Sequence, residues 1–429
     1  MGSTLLSCRP QRLENKYPAN GKGALVEIRY QNGNFGLYRS GKPYYIQGAA
    51  GGTHLDYLVK SGGNSLRTWT TVGLDSVLQM AEANGLTVLV GLDVVAGRLG
   101  LDYSDDDQVK KQEERIIKDV MRYKDHPSVL MWALGNELEL NYSNPDLWPA
   151  INRLAKRIHE VDPNHPIATI LLPEGKSVRG VARHCPEVDI VGFNTFAALY
   201  YLPDRVRQFW WLWDGPYFVS EYGPRGWWEV PTTDWQAPLE DPGREKEKDL
   251  EKRFKASFLT DKERCLGGYV FFWGQKQEKT HTWFSMFSET GEKTSMVDAV
   301  SKLWSGKYVF NRAPRMNGLI WADLETQEGR YLEAGKTYEV YIDANDPEND
   351  PLTYEWELVP EGDYANITGG DKEARPVAIP GKIAARGASA VLTAPTTPGP
   401  YRLFAYVRDG NGSIGSGNLP FYIMDDQEP

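Results

Sequence analysis

A chain of 429 residues, 41% hydrophobic and 25% charged, has room for a barrel of about 250 residues or more plus a smaller partner, and its composition is that of an ordinary soluble globular protein. Its formal charge of −10 falls entirely at one end: from Ala313 onward 9 Lys/Arg face 19 Asp/Glu, leaving 39 of each sign before it from totals of 48 and 58. A neutral body with an acidic tail lacks the basic face that nucleic acid or an anionic membrane requires, and no window approaches the roughly 20 apolar residues of a membrane span, whereas a neutral glycan stays open as a partner.

Residues 1–23 read as a leader or a tag remnant. Leu5-Leu6-Ser7-Cys8 resembles the end of a bacterial lipobox, in which Cys8 would carry a lipid anchor and place the protein outside the cytoplasm, at the cell surface or in the periplasm. Cys185 and Cys265 show no metal-type spacing and read as buried small hydrophobes. Residues 24–43 turn on Gln31-Asn32-Gly33-Asn34, a hairpin expected to plug a barrel floor. Beyond it, short β-branched or aromatic runs alternate with amphipathic stretches. In order, the strands are Tyr44–Gly51, Ser65–Thr71, Thr87–Val94, Val129–Glu137, Ile167–Leu172, Asp189–Phe196, Tyr217–Tyr222 and Tyr269–Gln275. Eight parallel strands with crossover helices close a (β/α)8 barrel, an α/β fold, assigned to residues 24–312. Leu74–Asn84, Asp106–Lys124 and Asp146–Val161 carry the helical spacing and the start and stop signals of crossovers. The alternating charges of Glu240–Lys255 read as a solvated helix face, and Trp210, Trp211 and Trp213 as packing before the seventh strand.

From residue 313 to 429 the helical pattern gives way to short alternating runs, Thr337–Ala344, Leu352–Leu358, Ala390–Ala394 and Tyr401–Arg408, which predict a C-terminal immunoglobulin-like β-sandwich. Trp321 and Trp356 fall within its strands and read as core, which favours a spacer over a carbohydrate-binding module. Asp343, Asp346, Glu348 and Asp350 crowd one turn, in a stretch that resembles polycystic-kidney-type and cadherin-like modules. Carboxylates at this density suit calcium; the plainer reading is an acidic turn that holds no metal, and no cofactor is assigned.

The functional rim of such a barrel is the C-terminal ends of its strands. Glu137 closes the fourth strand in Trp132-Ala133-Leu134-Gly135-Asn136-Glu137, and Glu221 closes the seventh in Phe218-Val219-Ser220-Glu221-Tyr222-Gly223. Two carboxyl groups at one rim are what hydrolysis of a glycosidic bond with retention needs: one protonated to release the leaving group, one ionised to attack the anomeric carbon.

Asp125-His126-Pro127-Ser128-Val129 running into Trp132–Glu137 resembles the acid/base block of the clan A glycoside hydrolases, and is most similar to the barrel domain of family 2. Gly63-Asn64-Ser65-Leu66-Arg67-Thr68-Trp69 and Ser220-Glu221-Tyr222-Gly223 are similar to that family's other blocks. The resemblance implies Glu137 as general acid/base and Glu221 as nucleophile. It also implies Asn136 as donor to the sugar 2-hydroxyl, and Arg67 beside Glu221 keeping it ionised while a drier Glu137 holds its proton. The family usually has a Tyr two residues after the strand-six Asn; here Asn194-Thr195-Phe196 has a Phe, so the hydrogen bond to the nucleophile must come from elsewhere, with Tyr200 or Tyr201 as candidates.

Aromatic rings stack on the apolar faces of pyranoses, which makes Trp69, Trp227, Trp228, Trp273 and Trp283 candidate subsites. Gln47, His54, Asp93, Asn194 and Tyr222 are candidates for binding hydroxyls, and no metal site is expected in the barrel. A barrel with a trailing β-sandwich resembles the endo-β-1,3-glucanases of glycoside hydrolase family 158. The expected activity is therefore endo-cleavage of laminarin-type β-glucan by a monomer. The alternatives are an exo-acting family-2-like β-mannosidase or β-galactosidase, a transglycosylase, and a glycan-binding protein on a dead barrel, the last disfavoured because both glutamates are present.

Overall fold

The computed structural model describes residues 13–322, 330–362 and 373–424; Cys8 and the lipid anchor expected on it lie outside them. The chain divides into two compact units, Met1–Tyr222 with Arg253–Phe271, and Gly223–Lys252 with Phe272–Pro429. No described helix is long and apolar enough to cross a membrane.

The first unit opens with β1 (Val26–Gln31), β2 (Asn34–Arg39) and β3 (Lys42–Tyr44), an antiparallel sheet in register from Val26↔Arg39 to Gln31↔Asn34. Its turn works because Asn32 and Gly33 both take positive φ, 53° and 84°, the pair of left-handed residues a tight hairpin turn demands. The sheet covers the barrel floor. Phe35 N–H donates to the Glu263 carbonyl, Val26 N–H to that of Asn164, and Arg39 Nη2 to that of Pro127, all three acceptors lying just ahead of barrel strands.

Those strands are β4 (Ile46–Ala50), β5 (Ser65–Arg67), β6 (Thr87–Leu92), β7 (Val129–Leu134), β8 (Ile167–Leu171), β9 (Ile190–Asn194), β10 (Tyr217–Tyr222) and β11 (Cys265–Phe271). They form a closed parallel barrel, with β11 returning to β4 from Gly267↔Ile46 to Phe271↔Ala50. Their near-continuous burial follows from the strand runs of Val, Ile and Leu, which have helices on one face and the barrel lumen on the other. The helices start and stop where the sequence signals fall. Asp105 caps Asp106–Tyr123 by accepting from the Asp107 and Gln108 N–H groups, and Leu74–Ala83 and Leu147–Val161 end at Asn84 and Asp162. Cys185 and Cys265 are buried, and burial pushes both thiols up to about 12.

One boundary shifts with consequences. The eighth strand begins at Cys265, four residues before the sequence estimate, and ends at Phe271, so Trp273 lies beyond the strand.

The second unit contains two four-stranded sheets. One is ordered β12 (Arg315–Trp321), β14 (Thr337–Asn345), β17 (Ser389–Thr393), β16 (Ile383–Arg386); the other β13 (Arg330–Leu332), β19 (Ile414–Ile423), β18 (Gly399–Arg408), β15 (Thr353–Pro360). All pairings are antiparallel except β13 with β19. Met316, Trp321, Val340 and Leu392 from the first sheet meet Leu332, Leu358, Leu403 and Phe421 from the second in one core, the signature of a sandwich. Trp321 is within that core and Trp356 packs against it.

Segments 223–252 and 272–312 group with the sandwich because hydrogen bonds tie them to it. Arg402 Nη2 donates to the Pro238 carbonyl at 2.9 Å, Asn418 Nδ2 to Glu240 Oε2 at 2.7 Å, and His281 Nε2 lies 2.7 Å from the Tyr406 hydroxyl. The helix Gly243–Phe258 departs from the solvated face expected of it: Lys246, Glu247 and Arg253 are buried, and Lys246 Nζ sits 2.5 Å from Glu240 Oε1. Pairing is what lets a charge leave water here, so charge alternation alone was a misleading guide.

Candidate active site

Four strand ends of the first unit build one polar network at the C-terminal rim. Arg67, the last residue of β5, is 2% exposed, and its guanidinium fans across the barrel mouth. Nη1 donates to Glu221 Oε1 at 2.6 Å and to the Ser220 carbonyl at 2.8 Å, while Nη2 donates to Asn136 Oδ1 at 2.7 Å. Asn194, the last residue of β9, receives the Ser220 hydroxyl on Oδ1 at 2.8 Å. Its Nδ2 donates to Glu137 Oε1 at 2.7 Å and to Asn136 Oδ1 at 3.1 Å. Glu137 and Glu221 are thus joined through Asn194, Asn136 and Arg67.

The two carboxyl groups have unlike surroundings. Glu221 is buried and takes two donors on one oxygen, Oε1, from Arg67 Nη1 at 2.6 Å and the Trp69 indole N–H at 3.0 Å. Among the described residues the Glu137 carboxyl receives only the Asn194 amide N–H. Burial and the neighbouring Glu221 charge push its carboxyl up to about 7, against the pull of the Asn194 hydrogen bond; Glu139 adds to the rise and Arg67 opposes it. Near neutrality one carboxyl therefore still holds a proton while its neighbour is ion-paired.

Backbone geometry sets the aim of Glu137. Gly135 at φ 70° and Glu137 at φ 48° turn the chain sharply as it leaves β7, and a Cβ on Gly135 would meet Leu138. A non-glycine residue in the left-handed region is uncommon and costs energy, which the Glu137 N–H bond to the Ile170 carbonyl at 3.0 Å helps to hold. Asn136 is oriented by its acceptor role toward Arg67 and Asn194, so its Nδ2 is the end available to donate to a sugar hydroxyl.

Several expected site residues stand elsewhere. Gln47 is the second residue of β4, at the floor end, and its N–H binds Asn64 Oδ1 ahead of β5, so it cannot meet a substrate at the rim. Tyr222 follows an inward-pointing Glu221, and side chains alternate along a strand; its ring lies outside the lumen, buried 4.9 Å from Phe258. Asp93 accepts the Thr71 N–H and hydroxyl at 3.0 and 2.8 Å, bracing the loop after β5. His54 takes left-handed φ at the start of the helix Leu55–Lys60, and burial lowers its imidazole below the usual range.

Trp69 belongs to the site in a role other than the expected one, as a hydrogen-bond donor to Glu221 with its ring edge-on to Phe271 at 6.0 Å. It supplies the contact for which Tyr200 and Tyr201 were candidates; both tyrosines are exposed, their rings 5.0 Å apart.

The other four tryptophans lie in the second unit. Trp273 is fully buried, stacked on Trp304 and edge-on to Phe287, and Trp283 is buried with its N–H on the Arg225 carbonyl at 2.8 Å. Neither offers a face to a sugar. Trp227 donates to Glu278 and carries Lys279 Nζ 4.2 Å above its ring; Trp228 is half exposed. Trp213 packs as expected, whereas Trp210 and Trp211 are 48% and 62% exposed, contrary to the packing role read for them.

Two neighbours of Glu137 escaped the sequence reading. Glu139 accepts the Leu172 N–H at 3.2 Å, and burial raises its carboxyl above the usual range. Exposed Arg98 donates to the Glu137 carbonyl at 2.9 Å. Glu139 could have been found from its place two residues after Glu137 in the same turn; Arg98 could not, since it arrives from the loop after β6.

The closed eight-stranded parallel barrel, with this pair of carboxyl groups at its C-terminal rim, resembles the barrels of the retaining clan A glycoside hydrolases. Residues 56–225 match the model of the glycosyl hydrolases family 2, TIM barrel domain. The chain is 27% identical over 164 residues to a protein described as a probable mannan endo-1,4-β-mannosidase C of Aspergillus terreus, covering 32% of this chain and 40% of that one. It is 22% identical over 214 residues to the β-glucuronidase of Chlorocebus aethiops, covering 43% of this chain and 32% of that one. The crystal structure of Bacteroides uniformis β-glucuronidase superposes with a TM-score of 0.50 at 16% identity, over 93% of this chain and 48% of that one. The chain spans less than half the length of each of these relatives.

Proposed function

We propose that this chain hydrolyses a β-glycosidic bond with retention, with Glu221 as nucleophile and Glu137 as acid/base. The observation that carries the reading is the contrast between a Glu221 held by Arg67 and Trp69 and a Glu137 pushed up to about 7. In the first step Glu137 gives its proton to the glycosidic oxygen as the Glu221 carboxylate bonds to the anomeric carbon. Forming that ester removes the Glu221 charge, one of the two main causes of the raised Glu137 pKa. Glu137 becomes more acidic just when it must act as base on the incoming water. Asn136 Nδ2 is placed for a 2-hydroxyl, a contact that strengthens as positive charge grows on the ring.

The substrate proposed is a laminarin-type β-1,3-glucan cut internally, outside the cytoplasm. Its support is the order of parts, a barrel followed by a β-sandwich, which resembles the family 158 endo-β-1,3-glucanases. A second reading, an anionic sugar taken from a chain end, is favoured by Arg98: an exposed guanidinium on the acid/base backbone, with no carboxylate partner among the described residues, could meet a uronate. Digestion of laminarin, β-mannan and aryl β-glycosides, including a β-glucuronide, separates the readings. Early mixed oligosaccharides from laminarin are expected; inert laminarin with cleavage of mannan or the glucuronide overturns the glucan assignment, and lengthened chains would mean glycosyl transfer.

A further inference from the structure

We propose that the β-sandwich unit holds a calcium ion between the turn Asp346–Asp350 and the turn Asp409–Ser413, independently of the catalytic reading. One carboxylate oxygen from each of Asp346, Asp350 and Asp409 lies within 4.8 Å of the others. Asp346 and Asp409 are 7% and 4% exposed, so two of these charges have left water. No Lys, Arg or His among the described residues forms an ion pair with any of the three; Arg312, the basic side chain that reaches this turn, is spent on Glu348 Oε1 and the Pro347 carbonyl.

The local hydrogen bonds use one oxygen of each buried aspartate and leave the other. Asp346 Oδ1 accepts the Glu348 and Asp350 N–H groups at 2.8 and 2.9 Å, and Asp409 Oδ1 accepts those of Asn411 and Ser413 at 2.7 and 3.1 Å. Asp346 Oδ2 and Asp409 Oδ2 are buried with no hydrogen-bond partner among the described residues. Two more buried oxygens on residues bonded to the cluster share that condition: Asn311 Oδ1, whose Nδ2 donates to Asp350 Oδ2, and Ser413 Oγ. Buried polar atoms in native proteins are paired almost without exception, and buried carboxylates need a counter-charge. Four unpaired hard oxygens, two of them from carboxylates, beside the third carboxylate of Asp350, are the donor set that calcium takes, with water completing six to eight ligands; magnesium demands a tighter octahedron. The ion would pin three stretches distant in sequence: residue 311, which leads into β12, the turn after β14 and the turn before β19.

The test is titration of the full chain, stripped with EDTA, with calcium chloride by calorimetry, and thermal unfolding with and without the ion. One ion per chain, a dissociation constant at or below about 1 mM, and a raised unfolding midpoint are expected. Asp409→Asn and Asp346→Asn keep an oxygen for the N–H groups of their turns but remove charge, and each should weaken binding at least tenfold. Asp343→Asn, on β14 beside Asn317, should leave binding unchanged. Absence of heat and of any midpoint shift at about 10 mM calcium, or equal binding of magnesium, overturns the proposal. Titration of the unsubstituted chain decides the matter even where a variant folds poorly.

Discussion

The floor and the rim of the same barrel are built on different principles. At the floor a run of neutral hydroxyls bonds together inside the barrel: Ser65 Oγ lies 3.0 Å from the Tyr269 hydroxyl and 2.9 Å from Thr87 Oγ1, which in turn meets the Tyr44 hydroxyl at 2.9 Å. At the rim the interior holds Arg67 and Glu221, with Glu137 beside them. Burying hydroxyls that bond one another costs little, whereas burying ions costs several kcal/mol per charge unless geometry repays it. Where the floor does bury a carboxyl group, Asp162, it is closed off by His165 at 2.8 Å and the Trp132 indole at 2.7 Å, whereas the rim keeps Glu137 with a carboxyl pushed up to about 7.

The sharpest way to break the contrast is to remove rim groups one by one. Glu221→Gln should lower kcat on every substrate by a factor on the order of 10^5 to 10^6, as loss of a nucleophile does elsewhere. Glu137→Gln should cost about 10² to 10⁴ where the leaving group needs a proton and little where it does not. Steady-state rates on paired aryl glycosides with good and poor leaving groups check both; equal losses in the two variants would contradict the assignment.

Stability measurements sharpen the comparison further. Arg67→Met leaves Glu221 charged and unpaired in a buried position and should cost about 3–5 kcal/mol in denaturant unfolding. Glu137→Gln should act in the opposite sense. Its carboxyl titrates at about 7 in the folded chain against a usual 4.5, so its protonated form adds stability that is complete below 4.5 and lost as pH rises through 7. Replacing it should therefore stabilise the protein at pH 8 by at most about 3 kcal/mol and change nothing at pH 4. The same value predicts that activity falls on the alkaline side with an apparent pKa near 7. Trp69→Phe keeps the ring and deletes the N–H to Glu221, and should cost about 1.5–3 kcal/mol in the barrier, read as kcat/KM. The smallest effect belongs to the floor: Tyr269→Phe should cost about 1 kcal/mol of stability and leave kcat untouched.

Much of this architecture was legible in the sequence because strand runs, caps and the Asn136-Glu137 pair are local signals. The eight strands, three crossover helices and the sandwich runs begin or end within a few residues of where periodicity put them. Side-chain direction was harder to read. Gln47 has the same polar letter at the floor end of its strand as it would have at the rim, and Tyr222 points outward by the alternation that turns Glu221 inward. Trp273 and Trp283 failed for another reason, since a flat ring in a loop has the same letter whether it faces a glycan or a core. Trp69 as donor to Glu221 and Arg98 at the Glu137 carbonyl were out of reach, because each contact joins loops or strands that only barrel closure brings together.

Rescue of alanine variants by azide tests the central claim most directly, with product stereochemistry as the readout, on an aryl β-glycoside that the unsubstituted protein cleaves. If Glu137 is the acid/base, Glu137→Ala with azide yields a β-glycosyl azide through the intact ester on Glu221, and Glu221→Ala yields the α-azide by direct attack. The reverse pairing, or labelling of any carboxylate other than Glu221 by a mechanism-based glycosyl inhibitor, would contradict the account.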